Sequence, residues 1–147
     1  MKVFIDADGC PVVNIAVRLS EKYKKECIIV CDTSHLFNIE GVKCITVSKG
    51  ADSADFRLVN MLSKGDVAVT QDYGLAAMCL ARGAVPINQN GLVYNETNID
   101  ELLFARYVSG KIRASGGHTK GPPKRTAQQN DEFEKSFEDL LKKEGNL

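Results

Sequence analysis

Residues 3–12 read VFIDADGCPV. Three large apolar residues, Val3, Phe4 and Ile5, run without alternation into Asp6, and a second carboxylate, Asp8, stands just before Gly9 and Pro11. An unbroken β-branched and aromatic run suits a strand covered on both faces. Gly9 and Pro11 suit a tight turn into a helix, with Pro11 expected at the first helical position. A buried strand ending in carboxylates at the start of a helix sets the pattern for the rest of the chain.

The pattern repeats. Val12, Ala16, Leu19 and Tyr23 follow helical spacing. "CIIVC" is the next apolar run and ends at Asp32, and "VKCITV" ends at Ser48-Lys49-Gly50. A helix with Ala54, Leu58 and Leu62 on one stripe precedes "DVAVT", which ends at Gln71-Asp72. Leu75, Cys79 and Leu80 mark a further helix, with Gly83 as its C-terminal cap, and "AVPI" is a fifth run. Short apolar runs separated by helices predict an α/β three-layer sandwich with a central, mostly parallel sheet joined by right-handed crossovers.

Beyond residue 88 the texture changes. "NQNG" reads as a turn leading to "LVY", and Asn98 with Glu101 predicts a capping box for a helix to about Arg113. Residues 114–129 are rich in Gly, Pro, Gln and basic side chains with little to bury, and read as a flexible basic segment. Asn130 is the expected cap of a last helix with Phe133, Phe137, Leu140 and Leu141 on one stripe. The expected organisation is therefore an α/β domain over 1–113, the basic segment over 114–129 and a C-terminal helix over 130–147.

Composition sets the outer limits. The 147 residues, 44% hydrophobic and 26% charged, suit one globular domain. Nineteen basic and nineteen acidic side chains cancel, but no Asp or Glu occurs over 102–130, where Arg106, Lys111, Arg113, Lys120, Lys124 and Arg125 all fall. Five cysteines without a CxxC pair argue against a disulfide framework. No signal peptide or membrane-length apolar run is visible, so a cytoplasmic protein with no membrane partner is expected.

Parallel strands deliver their carboxyl ends to one edge of the sheet, which is where open α/β sheets bind ligands. Asp6 and Asp8 follow the first run, Asp32 the second, Asp52 and Asp55 the third, and Asp72 the fourth. Taken singly, Asp52, Asp55 and Asp72 also suit helix caps, and Asp32-Thr33-Ser34 suits a turn. Capping does not explain why every strand ends acidic, and Asp6 ends a strand where nothing local needs a cap. Such a cluster repels itself. Carboxylates without His or Cys partners suit hard divalent cations, Mg²⁺ or Mn²⁺, which activate water against phosphodiesters. Lys49 beside this edge suits a phosphate contact or a solvated loop, and "SKG" lacks the rest of a P-loop. His35 and His118 read as surface residues, and Tyr73 as packing.

Two resemblances follow from these segments. "FIDADG" resembles the DxDG opening of haloacid-dehalogenase-type phosphatases, which implies Asp6 as nucleophile and Asp8 as acid/base. Cys10 replaces the Thr of that motif, and "VTQDYG" departs from its later acidic motif. The segments "DADGCPV", "DTSH", "KGADSAD", "TQDYGLAAMCLARGA" and "NIDELLFARYVSGKIRASGGHTKGPPKRT" resemble the YaiI/YqxD family of bacterial proteins, in the wider PIN-like nuclease group. Asp8-Gly9-Cys10-Pro11 stands where that family usually has Asp-Ala-Cys-Pro.

This second resemblance implies a PIN-like fold and a Mg²⁺- or Mn²⁺-dependent nuclease, a ribonuclease before a DNA nuclease. By motif position it implies Asp6, Asp72 and either Asp55 or Asp52 as metal ligands, with Asp8 as an additional acid at the loop and all five as the candidate catalytic acids. Lys49, Arg106, Lys111, Arg113, Lys120, Lys124 and Arg125 are the expected nucleic-acid contacts, with RNA the expected partner. The alternatives are a nucleic-acid-binding protein that does not cut, and a small-molecule phosphohydrolase of the DxDG kind.

Overall fold

The computed structural model describes residues 1–32, 37–48, 53–118 and 123–144. Five strands, β1 (Lys2–Asp6), β2 (Glu26–Asp32), β3 (Lys43–Val47), β4 (Val67–Val69) and β5 (Val85–Ile87), form one sheet in the order β3-β2-β1-β4-β5. Every strand pair is parallel. The five helices among the described residues are α1 (Val13–Lys22), α2 (Ser53–Met61), α3 (Tyr73–Ala81), α4 (Glu96–Ala114) and α5 (Ala127–Glu144). The three-layer α/β sandwich expected from the apolar runs is the observed architecture.

Strand pleating sorts side chains between two cores. Val3, Ile5, Cys27, Ile29 and Cys31 point to one face, where α1 and α5 cover them with Val13, Ala16, Leu19, Phe133, Phe137 and Leu141. Phe4, Ile28, Val30 and Ala68 point to the other, under Leu58 and Leu62 of the α2 region and Leu75 and Cys79 of α3. Both faces of β1 are thus dry, which is why its sequence does not alternate. A smaller cluster of Ala76, Tyr94 and Ile99 seats α4 on α3. The last helix docks on the domain itself, with the Phe133 and Phe137 rings stacked 5.2 Å apart.

Some helix ends differ from the sequence reading, each for a local reason. Pro11 lies one residue before the N-cap Val12 of α1 and not at the first helical position. The intervening turn closes with Cys10 N donating to Ala7 O at 3.0 Å, with Gly9 at φ 74°, a left-handed conformation that glycine takes without strain. Helix α4 is capped by Asn95, whose Oδ1 accepts from Thr97 N and Asn98 N, while Asn98 Oδ1 accepts from Asn95 N at 2.8 Å. Asn98 is therefore the far end of the capping box. Helix α5 starts at Ala127, three residues before Asn130, through a reciprocal pair in which Thr126 N donates to Gln129 Oε1 and Gln129 N to Thr126 Oγ1. Gly83 ends α3 as expected, at φ 77°, with Gly83 N on Leu80 O and Ala84 N on Cys79 O, a Schellman arrangement.

The order β3-β2-β1-β4-β5 reverses direction between β1 and β4. At such a switch point the chain leaves β1 and β4 toward opposite faces, and a crevice opens beyond their carboxyl ends.

Candidate functional site

The crevice is where the acids gather. Asp6 is the last residue of β1, and Thr70, Gln71 and Asp72 follow β4 directly. Thr70 is 1% exposed, and its hydroxyl donates to Asp6 Oδ2 at 2.8 Å. Thr70 Oγ1 in turn accepts from Asp72 N at 3.0 Å. Tyr94 Oη donates to the Thr70 carbonyl at 3.2 Å. The neighbouring strand ends are thus tied by one buried threonine. Asp72 also caps α3, accepting from Leu75 N through Oδ1 at 3.1 Å. The capping reading of Asp72 is thus observed, and that bond leaves its Oδ2 unengaged.

Burial pushes the Asp6 carboxyl up from its ordinary 3.8 to about 6; the Thr70 hydrogen bond opposes this, and the charges of Asp55, Asp72 and Asp8 add to it. Asp55, in the first turn of α2, and Asp72 line one groove of about 290 Å³ with Phe56, Gly74, Leu75, Met78 and Arg106. Phe56 is 56% exposed on its lip. Arg106 Nη1 lies 4.0 Å from Asp72 Oδ1, supplying the positive charge that an acidic edge calls for. Asp8 faces the second strand, where its carboxylate accepts from Asp32 N at 3.1 Å and so joins the ends of β1 and β2.

Asp8, Asp55 and Asp72 are therefore each within electrostatic reach of Asp6, as the sequence reading expects of a shared edge. Asp52 and Lys49 lie outside the described residues, as do Lys120, His35 and the Thr33-Ser34 pair. An all-oxygen donor set fits a hard divalent cation in chemistry. Among the described residues, no three His, Cys, Asp or Glu side chains form a group ready to hold a metal ion.

The basic residues divide. Arg106 lines the acidic groove, and Lys111 Nζ sits 5.4 Å from the exposed Tyr107 ring on α4. Arg113 and Lys124 are exposed. Arg125 is committed to the scaffold: Nη1 donates to Asn90 Oδ1 and Nη2 to Gln89 O, both at 2.6 Å, while Nε donates to Asn130 Oδ1 at 2.8 Å. Tyr73 packs edge-on against Tyr94, 6.2 Å between centroids, as its packing role requires. His118 is exposed. The residues that sequence reading passed over are Thr70 and Tyr94. The "TQD" stretch held the first, and a buried hydroxyl between an apolar strand and an acid was its signal.

All five cysteines are free, and no described helix is long and apolar enough to cross a membrane.

Comparison with known proteins places these features in a family. Residues 4–143 match the family model described as "Uncharacterized BCR, YaiI/YqxD family". A UPF0178 protein of Exiguobacterium sibiricum is 54% identical over 141 residues, 96% of each chain. One from Ruminiclostridium cellulolyticum is 46% identical over 144 residues, 98% of this chain and 94% of its own. One from Clostridium acetobutylicum is 43% identical over 143 residues, 96% of this chain and 97% of its own. No solved structure matches the chain. A match across nearly the whole sequence, from β1 to α5, makes this chain a member of the YaiI/YqxD family.

Proposed function

We propose that the acidic crevice hydrolyses phosphodiesters in nucleic acid, RNA before DNA, with Mg²⁺ or Mn²⁺ held by Asp6, Asp55 and Asp72. The observation that carries this reading is the meeting of Asp6 and Asp72 at the β1/β4 switch point, with Asp55 close enough to raise the Asp6 carboxyl further. When bound, the cation supplies charge for the phosphate under attack and makes a water more acidic. The protein's own groups do the positioning. Thr70 fixes Asp6 Oδ2, the Asp72 amide fixes Thr70, and the α3 cap fixes Asp72 Oδ1. Arg106 beside Asp72 is suited to a phosphate oxygen, and Phe56 on the groove lip to the face of a base. Lys111, Arg113 and Lys124 extend the positive surface, with Lys49 and Lys120 contributing by sequence position, and Asp52 would add, again by sequence position, to the catalytic acids. Because Asp8 is held by Asp32 N, the geometry favours Asp8 as a positioning acid over the acid/base of a DxDG phosphohydrolase.

A second reading, nucleic-acid binding without cleavage, draws on the lack of a preassembled metal group among the described residues. One experiment separates the two. Single-stranded RNA is incubated with the protein in Mn²⁺, in Mg²⁺ and in EDTA, beside Asp72→Asn. The nuclease reading expects metal-dependent cleavage that Asp72→Asn abolishes, with RNA affinity unchanged or higher. Binding without cleavage in either metal supports the second reading, and cleavage by Asp72→Asn at the wild-type rate overturns the catalytic assignment.

A further inference from the structure

Beyond the acidic crevice, on the other side of Gln71, lies a second cavity of about 310 Å³. Its lining is unusual in kind. Four carboxamides, Gln71, Gln89, Asn90 and Gln129, face it together with Arg125 and the rings of Pro11 and Pro123. Three of the carboxamides are anchored by one end. Gln71 Nε2 donates to Gly9 O at 2.7 Å, Asn90 Oδ1 accepts from Arg125 Nη1, and Gln129 Oε1 accepts from Thr126 N at 2.9 Å. The opposite ends, Gln71 Oε1, Asn90 Nδ2 and Gln129 Nε2, have no hydrogen bond among the described residues. Gln89 Oε1 is shielded from solvent and has no partner among the described residues, and so shielded it is out of a ligand's reach as it stands.

We infer that this cavity is a base-recognition pocket, taking one nucleobase of a single-stranded nucleic acid. The inference rests on the reading of the neighbouring crevice as a nucleic-acid site. Carboxamides offer a donor and an acceptor side by side, which matches the mixed edge of a base and not the all-acceptor surface of a phosphate. Arg125, the cation among the described lining residues, already gives N–H donors to Asn90, Asn130 and the Gln89 carbonyl, which limits what it can offer a ligand while its charge remains. Its volume lies at the small end of ligand pockets, enough for a single ring system, and the two proline rings offer apolar faces to it. Its place fits as well. Gln71 stands between Thr70 and Asp72, the two residues that organise the acidic edge, so a phosphate at that edge has its own or the adjacent base within reach.

The test uses ¹⁵N-labelled full-length protein and reads the side-chain amide resonances of Gln71, Gln89, Asn90 and Gln129. The four nucleoside 5′-monophosphates are titrated separately, with ribose 5-phosphate as the control for sugar and phosphate. The expected result is base-dependent movement of these amides, with the four bases differing and ribose 5-phosphate leaving them still. In Gln71→Met, which roughly keeps the volume and removes the open carboxamide oxygen, the protein stays folded and the preferred nucleotide binds about tenfold more weakly, the loss of roughly one hydrogen bond. Equal movement with ribose 5-phosphate, no movement with any nucleotide, or an unchanged affinity in Gln71→Met overturns the pocket. RNA cleavage by wild type together with a silent titration removes the pocket alone; a positive titration without any cleavage leaves the pocket and removes the nuclease.

Discussion

Replacing Asp6 by Asn removes one charge from the β1/β4 crevice, and the structure sets both the size and the sign of the effect. The folded-state carboxyl titrates near 6 instead of 3.8, a difference that costs the ionised folded form ~3 kcal/mol. A raised carboxyl pKa means that the folded protein holds its proton longer than the unfolded chain does. Stability from this group is therefore complete below the unfolded value and declines as pH rises from about 4 to about 6. Asparagine carries no charge to be penalised, and its Oδ1 can still accept from Thr70. Half-burial and relaxation of the crevice reduce the gain to roughly 1–2 kcal/mol at pH 8, or about 3–7 °C in melting temperature for a chain of this size. Near pH 4 the two proteins should melt together. The assay is a set of thermal melts in EDTA from pH 4 to 8, with wild type and variant side by side so that all other titrations cancel. A gap that stays constant across pH, or a variant less stable than wild type at pH 8, would refute the claim that Asp6 is a strained, electrostatically frustrated carboxylate.

Three further outcomes follow from the packing. Thr70→Val deprives Asp6 of its hydroxyl donor and leaves the Asp72 amide without its acceptor, so urea denaturation should read a loss of about 2 kcal/mol, most of it recovered in Thr70→Ser. Gly91→Ala places a methyl 2.6 Å from Glu132 O, at φ 89°, and should lower the melting temperature by several degrees, with Asn88→Ala as a milder control that loses only the turn's side-chain acceptor. Phe137→Ala empties a site of 0% exposure between α1 and the sheet and should cost about 3–5 kcal/mol by equilibrium unfolding; a loss below 1 kcal/mol would mean that α5 is not docked as described.

Sequence reading reached the sheet because parallel strands leave a signature that does not need tertiary information: "VFI", "CIIVC" and "VAV" are apolar on both faces. It reached the acidic edge for the same reason, since strand direction alone sends Asp6 and Asp72 to one side. The strand order was not legible. Nothing local in β4 says that it pairs with β1, yet that pairing is what makes the Asp6–Thr70–Asp72 connection. Helix starts were missed where an alternative cap lay a few residues away. Asn95 and Asn98 are both good caps, and only the backbone path decides which is the cap and which its partner. Arg125 shows the other limit. In sequence it is one of a run of basic residues, while in the fold three hydrogen bonds make it a strut between the 89–90 turn and α5.

The pairing of α1 with α5 carries a consequence for biosynthesis. Arg18 Nη2 meets Glu134 Oε1 at 2.9 Å and Lys22 Nζ meets Glu138 Oε2 at 3.1 Å, each across 116 residues of chain. On the ribosome, β1 and α1 emerge with the greasy side of their layer bare. The rings that cover it, Phe133 and Phe137, are added on the order of ten seconds later. The N-terminal βα unit is thus a guest awaiting its lid, open to holdases and to premature self-association throughout elongation. Arrested nascent chains ending at 126 should be digested rapidly by added protease, and chains carried past 144 and clear of the exit tunnel should resist it. Translation speed through the α4–α5 region then becomes a determinant of yield, separate from the stability of the finished fold.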